Sequence, residues 1–237
     1  MKIQNIENIK KFGFEFFTIV IGIFAAFALD NWNENRKDKN TEKKILREIN
    51  IGLTQDIKDL NINEFGQNQG IRAVNIINGF ILNENLRSDS TVTHYFNLFR
   101  SFISVQNKSG YETLKSKGLE LIENDSLRSE ILSLYENDYN SIKKLEESYS
   151  EIQFFEHYSR DFNNSLTQYF IFDSNGEFIG INQPIKLAEK NRKLLLTHLW
   201  RIKNNRNFMI RNYVEVKKKV KKLQENIELE LNRLNYI

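Results

Sequence analysis

The chain has no cysteine, one proline and ten glycines in 237 residues. Without a thiol, disulfides, thiolate zinc sites, iron–sulfur clusters and a cysteine nucleophile are excluded within this chain. The lone Pro184 leaves almost the whole length free of the strongest helix breaker, so long helices are sterically permitted nearly everywhere. Scarce glycine and proline also argue against a sandwich or barrel, which needs frequent tight turns. An excess of one charge is missing as well, since 34 basic residues face 31 acidic ones for a net charge of +3. Phosphate binding needs a segregated basic face, and the densest basic run, Lys217-Lys218-Lys219 with Lys221 and Lys222, sits on a heptad and reads as a solvated helix face. No nucleic-acid partner is expected.

Catalytic signatures are sparse in the same way. The three histidines, His94, His157 and His198, are too far apart in sequence for the two-histidine helical metal spacing. No phosphate-binding glycine loop, dinucleotide fingerprint or nucleophile elbow occurs. Adjacent carboxylates such as Glu146 with Glu147, and Glu228 with Glu230, read as solvated faces, because acid–base work needs a cleft that separates their pKa values. The sequence therefore predicts no enzyme, no cofactor and no metal site.

What the chain does have is a long apolar run near its start. Phe16 to Leu29 carries no charge, and counting from Phe12 to Trp32 gives about 21 residues, or roughly 30 Å of helix, which matches a bilayer core. Glu15 and Asp30 then fall near the two interfaces, with Phe12, Phe14 and Trp32 at headgroup depth. A signal peptide is the competing reading, with Lys2, Lys10 and Lys11 as its basic region and Ala26-Phe27-Ala28 as its cleavage site; Glu15 interrupts that pattern. A buried core helix is disfavoured because the run is apolar all round. Gly22 and Ala26 form a small-xxx-small pair through which two spans can approach. Glu15 and Asp30 are membrane carboxylates, candidates for a proton relay or for pairing between subunits, although interfacial depth makes their solvation cheap.

The stretch Glu15 to Lys37 contains Glu15, Val20-Ile21-Gly22-Ile23 and Asn31-Trp32-Asn33-Glu34, and Tyr111 to Tyr135 contains a Tyr-x-x-Leu-Lys-x-x-Gly pattern followed by Leu-Ile-x-Asn-x-x-Leu-Arg. Both resemble an uncharacterised family of single-span membrane proteins from Bacteroidota-type bacteria (domain-of-unknown-function 6090 type). Asp30 stands where that family carries Asn. The resemblance implies an anchor in the bacterial inner membrane, a helical domain on the extracytoplasmic side and no known activity. The Lys/Arg count opposes that orientation, because Arg36, Lys37, Lys39, Lys43, Lys44 and Arg47 follow the span and favour a cytoplasmic C-terminal side.

Beyond the span, Ile45, Ile49, Leu53, Ile57 and Leu60 predict an amphipathic stalk to about residue 63, broken by Gly66-Gln67-Asn68-Gln69-Gly70. Ser88-Asp89-Ser90 and Asn124 or Asp125 are candidate helix caps, and Gly118 a candidate C-cap. A long helix is expected from Asp125 to Ile152, continuing toward Leu166, and Asn175-Gly176 between aromatic runs predicts a hairpin near residues 169–180. Pro184 suits the first turn of a final helix whose Tyr213, Val216, Val220, Leu223, Ile227, Leu231 and Leu234 form a seam. The partner of that seam is either the helix from Asp125 or the same helix of another subunit. The aromatic groups Phe96, Phe99 and Phe102, and Phe154, Phe155 and Tyr158, belong to the bundle core or line a ligand pocket.

The predicted fold is all-α. It comprises a tail (1–11), a transmembrane helix (12–32), a helical stalk (33–64) and a bundle of long helices with one small hairpin (65–237). The expected function is a non-enzymatic, membrane-anchored module whose partners are the lipid bilayer and a second copy or another membrane protein. The alternatives are a ligand-sensing bundle and an accessory subunit of a proton-driven complex.

Overall fold

The computed structural model describes residues 2–84 and 91–235, with side chains from residue 14 onward, so the Ser88-Asp89-Ser90 cap lies outside the described residues. The architecture is all-α with one small hairpin. Two long helices dominate: α1, Lys2–Ile81, and α7, Glu189–Asn235, about 120 Å and 70 Å long at 1.5 Å per residue. Between them lie α2 (Thr91–Phe99), α3 (Ser109–Lys117), α4 (Asp125–Leu132), α5 (Tyr139–Ser148), α6 (Phe154–Leu166), β1 (Phe170–Phe172) and β2 (Phe178–Ile181).

The pairing of α1 with α7 follows from their buried positions. In α1 the buried residues include the series Leu46, Ile49, Leu53, Asp56, Leu60 and Asn63, continued by Gln67, Gly70, Val74, Ile77 and Ile81. In α7 they run Leu195, Leu199, Ile202, Arg206, Met209 and Tyr213, then Val216, Val220, Leu223, Ile227, Glu230 and Leu234. Both series alternate strictly between steps of three and four, the spacing of a coiled-coil seam. Hydrogen bonds across the pair give its direction. Gln224 Nε2 donates to Thr54 Oγ1 (2.9 Å), Lys217 Nζ to Asn61 Oδ1 (2.8 Å), Arg206 to Gln67 Oε1 (2.7 Å) and Lys203 Nζ to Asn75 Oδ1 (3.1 Å). Rising numbers in α1 meet falling numbers in α7, so the helices are antiparallel. Leu234, near the end of α7, comes to lie beside the stretch of α1 from Trp32 to Lys43.

The predicted tail, span and stalk are therefore one unbroken helix, and the expected break at Gly66–Gly70 is absent. Glycine in a helix costs about 1 kcal/mol relative to alanine, which a packed helix absorbs. Both glycines are buried because something sits on them: a Cβ at Gly66 would overlap the Phe102 ring, and one at Gly70 the Arg206 guanidinium.

The smaller elements pack against this pair. Asn124 caps α4, its side chain accepting from Leu127 N (3.2 Å). α3 ends at Gly118, the expected C-cap, whose N–H donates to Leu114 O (3.0 Å) and whose positive φ of 104° favours glycine, with a ψ of 132° outside the left-handed helical range. The helix expected from Asp125 to Leu166 is interrupted twice. A π turn at Ser133–Asp138 widens the spacing, so that Leu134, Tyr135 and Tyr139 are all buried, and the chain leaves α5 at Tyr149 before α6 begins. The hairpin pairs Phe170 with Ile181 and Ile171 with Gly180, and Gly176 turns at φ 82°. Its Phe170 and Phe178 rings, 4.5 Å apart, pack on Tyr95 of α2. Pro184 lies in the loop that follows, preceded by a cis bond, and α7 starts only at Glu189.

Replacing Gly70 with Ala tests the close approach. On an open helix face such as Gly22, where a Cβ meets nothing within 4 Å, the change adds helix propensity. At Gly70 it is expected to lower stability by about 1–3 kcal/mol through overpacking. Thermal unfolding followed by circular dichroism in mild detergent distinguishes the two signs.

Candidate functional site

Three regions carry chemistry: the exposed apolar end of α1, the polar groups inside the bundle, and a carboxylate pair where the two meet.

α1 from Phe14 to about residue 38 projects past the bundle. This helix is long and apolar enough to cross a membrane, and none of its most apolar stretch is buried among the described residues. Phe16, Phe24 and Leu29 are 65%, 71% and 67% exposed. Glu15 and Asp30 both lie on this exposed length, about 22 Å apart along the axis at 1.5 Å per residue. Among the described residues neither has a hydrogen-bond or ion-pair partner. Gly22 and Ala26 are one turn apart on a single open face.

The predicted seam residues lie in the interior. Tyr213, Val216, Val220, Leu223, Ile227 and Leu234 are buried and Leu231 is partly buried. Their main partner is α1, not the helix from Asp125. The reason is continuity: α1 offers an unbroken complementary series, whereas α4 and α5 are separated by the π turn. The lysine run beside the seam is largely paired with carboxylates, Lys217 with Glu64, Lys218 with Glu215 and Lys219 with Asp138.

Polar side chains occupy several seam positions and form a connected interior network. Arg206 is fully buried and faces no carboxylate among the described residues. Its Nη1 donates to Gln67 Oε1, and its Nη2 donates to the carbonyls of Asn97, Leu98 and Arg100 (3.0, 3.0 and 3.1 Å). Those carbonyls end α2, the negative pole of that helix, so a guanidinium serves as its C-cap. The Phe154 ring lies 4.6 Å from the guanidinium carbon. Burial lowers the Arg206 pKa to about 9, which still leaves it charged at neutral pH.

Next to it, Glu146 of α5 accepts from Tyr213 OH (2.8 Å), from Ser104 Oγ (2.9 Å) and from Ser104 N (3.0 Å). Asp56 accepts from Tyr139 OH and Asn107 N (both 2.6 Å), and Asp59 from Val105 N (2.9 Å). Three carboxylates thus take the backbone N–H groups of residues 104, 105 and 107, in a stretch with no regular structure of its own. They satisfy donors that would otherwise be stranded against the bundle. Burial pushes the Asp56 and Glu146 pKa values up, and the donated hydrogen bonds pull against it. Ser104 and Glu146 lie inside the bundle without a histidine between them, and their contacts are those of a clamp on the 100–108 loop. The expectation that Glu146 and Glu230 lie on solvated faces is overturned: both are buried, because each has dedicated donors, while Glu147 and Glu228 are exposed.

At the end of the bundle nearest the apolar segment, Glu42 and Glu230 are buried side by side. Glu230 accepts from Asn124 Nδ2 (3.0 Å) and from Arg233 Nε and Nη2 (3.0 and 2.6 Å). Burial pulls its pKa up, but Arg233 and Asn124 outweigh it and hold the carboxyl below its ordinary value. Among the described residues Glu42 has only the Glu123 N–H, at 3.3 Å, and its Oε2 is unpartnered. Burial raises its pKa to about 7, and the Glu123 and Glu230 carboxylates push the same way.

The histidines do not converge. His198 Nε2 lies 2.8 Å from Asp161 Oδ2, His157 is exposed, and His94 is on α2. Among the described residues no group of His, Asp or Glu side chains is arranged to hold a metal ion. No family model, curated protein or solved structure matches the chain.

Two outcomes follow from these polar groups. Arg206→Leu removes the donors to three carbonyls and is expected to cost on the order of 3 kcal/mol, seen as a lower melting temperature. Glu42 binds its proton more tightly in the fold than in the unfolded chain, where its ordinary value is 4.5. Its contribution is thus complete below about pH 4.5 and is lost as pH rises through about 7, a change on the order of 3 kcal/mol. Melting curves at pH 5 and pH 8 are expected to show a smaller pH difference for Glu42→Gln than for the parent chain.

Proposed function

We propose that this chain is a non-enzymatic, membrane-anchored helical module that assembles through its span and holds a bundle at a fixed stand-off from the bilayer. The observation carrying this reading is the uncovered apolar end of α1, continuous with the helix that forms half the bundle seam. A core helix of a water-soluble protein would bury that surface, and here Phe16, Phe24 and Leu29 are exposed, without cover among the described residues. In this reading the lipid bilayer is the first partner, and the span crosses the bacterial inner membrane once. The two stretches that resemble the single-span family favour an extracytoplasmic bundle, and we adopt that orientation and that kinship as part of the proposal.

A non-enzymatic role is supported by how the interior polar groups are used. Each buried carboxylate described above accepts from named backbone or side-chain donors within the bundle. The C-terminal seam is occupied by α1, so self-assembly falls to the span, where Gly22 and Ala26 offer a close-approach face.

The natural absence of cysteine makes the test direct. Single Gly22→Cys, Ala26→Cys and Phe24→Cys variants are oxidised in native membranes and run on non-reducing gels. Disulfide-linked dimers are expected at positions 22 and 26 and not at 24, which faces the other way. Equal crosslinking at all three, or none at any, would overturn span-mediated assembly. Membrane insertion itself is tested with Ile21→Arg and Ile23→Arg together, each costing about 3 kcal/mol at mid-span. The double variant is expected to leave the carbonate-resistant membrane fraction.

A further inference from the structure

Far from the apolar segment, α2 and α6 line a pocket of about 330 Å³ that opens to solvent. That volume is at the small end of the range for small-molecule sites, roughly 300–1,000 Å³. Its walls are aromatic. Tyr95 and Phe99 form the floor, with their rings edge to face at 5.7 Å. Phe96 and Phe155 form the rims and are 61% and 65% exposed. Two large aromatic rings on facing helices thus line one concavity and stay wet.

The polar groups of the pocket are few. Arg100 lines the mouth, and among the described residues its guanidinium has no ion-pair partner. Asn163 accepts the Tyr95 hydroxyl on its Oδ1 (2.6 Å), which leaves its amide N–H₂ group to donate. Ser159 donates to the Phe155 carbonyl (2.5 Å), so its proton is already used. Among the described residues the donors left for a guest are one cation and one amide, beside the accepting Ser159 Oγ, with no carboxylate on the wall.

The site is also built rigidly. The buried Arg206 holds the carbonyls of Asn97, Leu98 and Arg100, fixing the helix end from which Phe96, Phe99 and Arg100 project. Phe99 packs behind on Phe162 at 5.3 Å. A preformed aromatic slot loses little entropy on binding.

We propose that this pocket binds a small aromatic carboxylate, its ring system between Phe96 and Phe155 and its anionic head on Arg100, with the Asn163 amide as a second donor. Arg100 is suited to the task because a guanidinium matches a carboxylate with two parallel N–H groups. The slot has space for a body of one or two rings, and aromatic walls favour planar guests through offset and edge contacts. The proposal stands apart from the anchoring role and does not depend on it.

Isothermal titration calorimetry of the full chain in mild detergent tests it, with naphthalene-2-carboxylate as probe and protein-free micelles as the blank. Saturable one-to-one binding is expected. Arg100→Gln and Phe155→Ala should each weaken it at least tenfold, and both positions are exposed, so their melting temperatures should match the parent chain. The neutral 2-naphthamide should bind at least tenfold more weakly than the acid to the parent chain, and equally with it to Arg100→Gln. Equal uptake of acid and amide by the parent chain, or binding untouched by both substitutions, would overturn the proposal. Preference for laurate over the naphthalene acid would overturn the aromatic assignment in favour of an acyl chain.

Discussion

Everything in the bundle hangs on the contact between Arg206 and the notch made by Gln67 and Gly70. A buried guanidinium has few places where its donors can be satisfied. Here Nη1 meets one side-chain amide on α1 and Nη2 meets three carbonyls at the end of α2, while Nε has no partner among the described residues. Gly70 is the only residue type that leaves space for the group. Sliding α7 by one heptad along α1 would exchange the Gln67–Gly70 notch for Leu60 with Asn63 or Val74 with Ile77, losing the space that the glycine leaves and the Gln67 acceptor. The apolar seam supplies attraction at many registers, and this one contact selects among them. It also ties α2 to the pair, and through α2 the hairpin, whose phenylalanines rest on Tyr95.

The second organising feature is the use of carboxylates as substitutes for a sheet or helix partner. The 100–108 segment runs along the bundle in irregular form, and its N–H groups at 104, 105 and 107 meet Glu146, Asp59 and Asp56. Two of these acids are themselves buried, and their cost is offset by tyrosine hydroxyls, Tyr213 on Glu146 and Tyr139 on Asp56. Buried acid–phenol pairs of this kind fix geometry more than they add net stability.

Much of the fold was legible in the sequence, and the failures have one cause. Helical class, the Asn124 cap and the Asn175-Gly176 hairpin follow from local chemistry that tertiary packing did not override. The extent of α1 was missed because Asp56, Asn63, Gln67 and Gly70 occupy seam positions, and a reading by hydrophobicity treats them as surface or as a break. Spacing was the better signal: steps of three and four continue without a fault from Leu46 to Ile81 and from Leu195 to Leu234. Arg206 was invisible for the same reason, standing where a leucine was due. Glu42, Glu146 and Glu230 could not be told from their solvated neighbours, since burial depends on partners over 40 residues away in each case. The distal pocket was foreshadowed by the two aromatic groups, but its cation, Arg100, has no pattern that marks it.

The continuity of α1 also constrains how such a chain can change over generations. Each residue turns a helix by about 100° as well as lengthening it by 1.5 Å. One residue gained or lost between Trp32 and Thr41 would therefore swing the entire bundle around the axis relative to Gly22 and Ala26, where a flexible joint would merely have altered the reach. Insertions of seven or eleven residues, which nearly restore the original azimuth, are the ones that such a rod can absorb. Length variation in that stretch should be quantised, and substitution should be far freer than insertion.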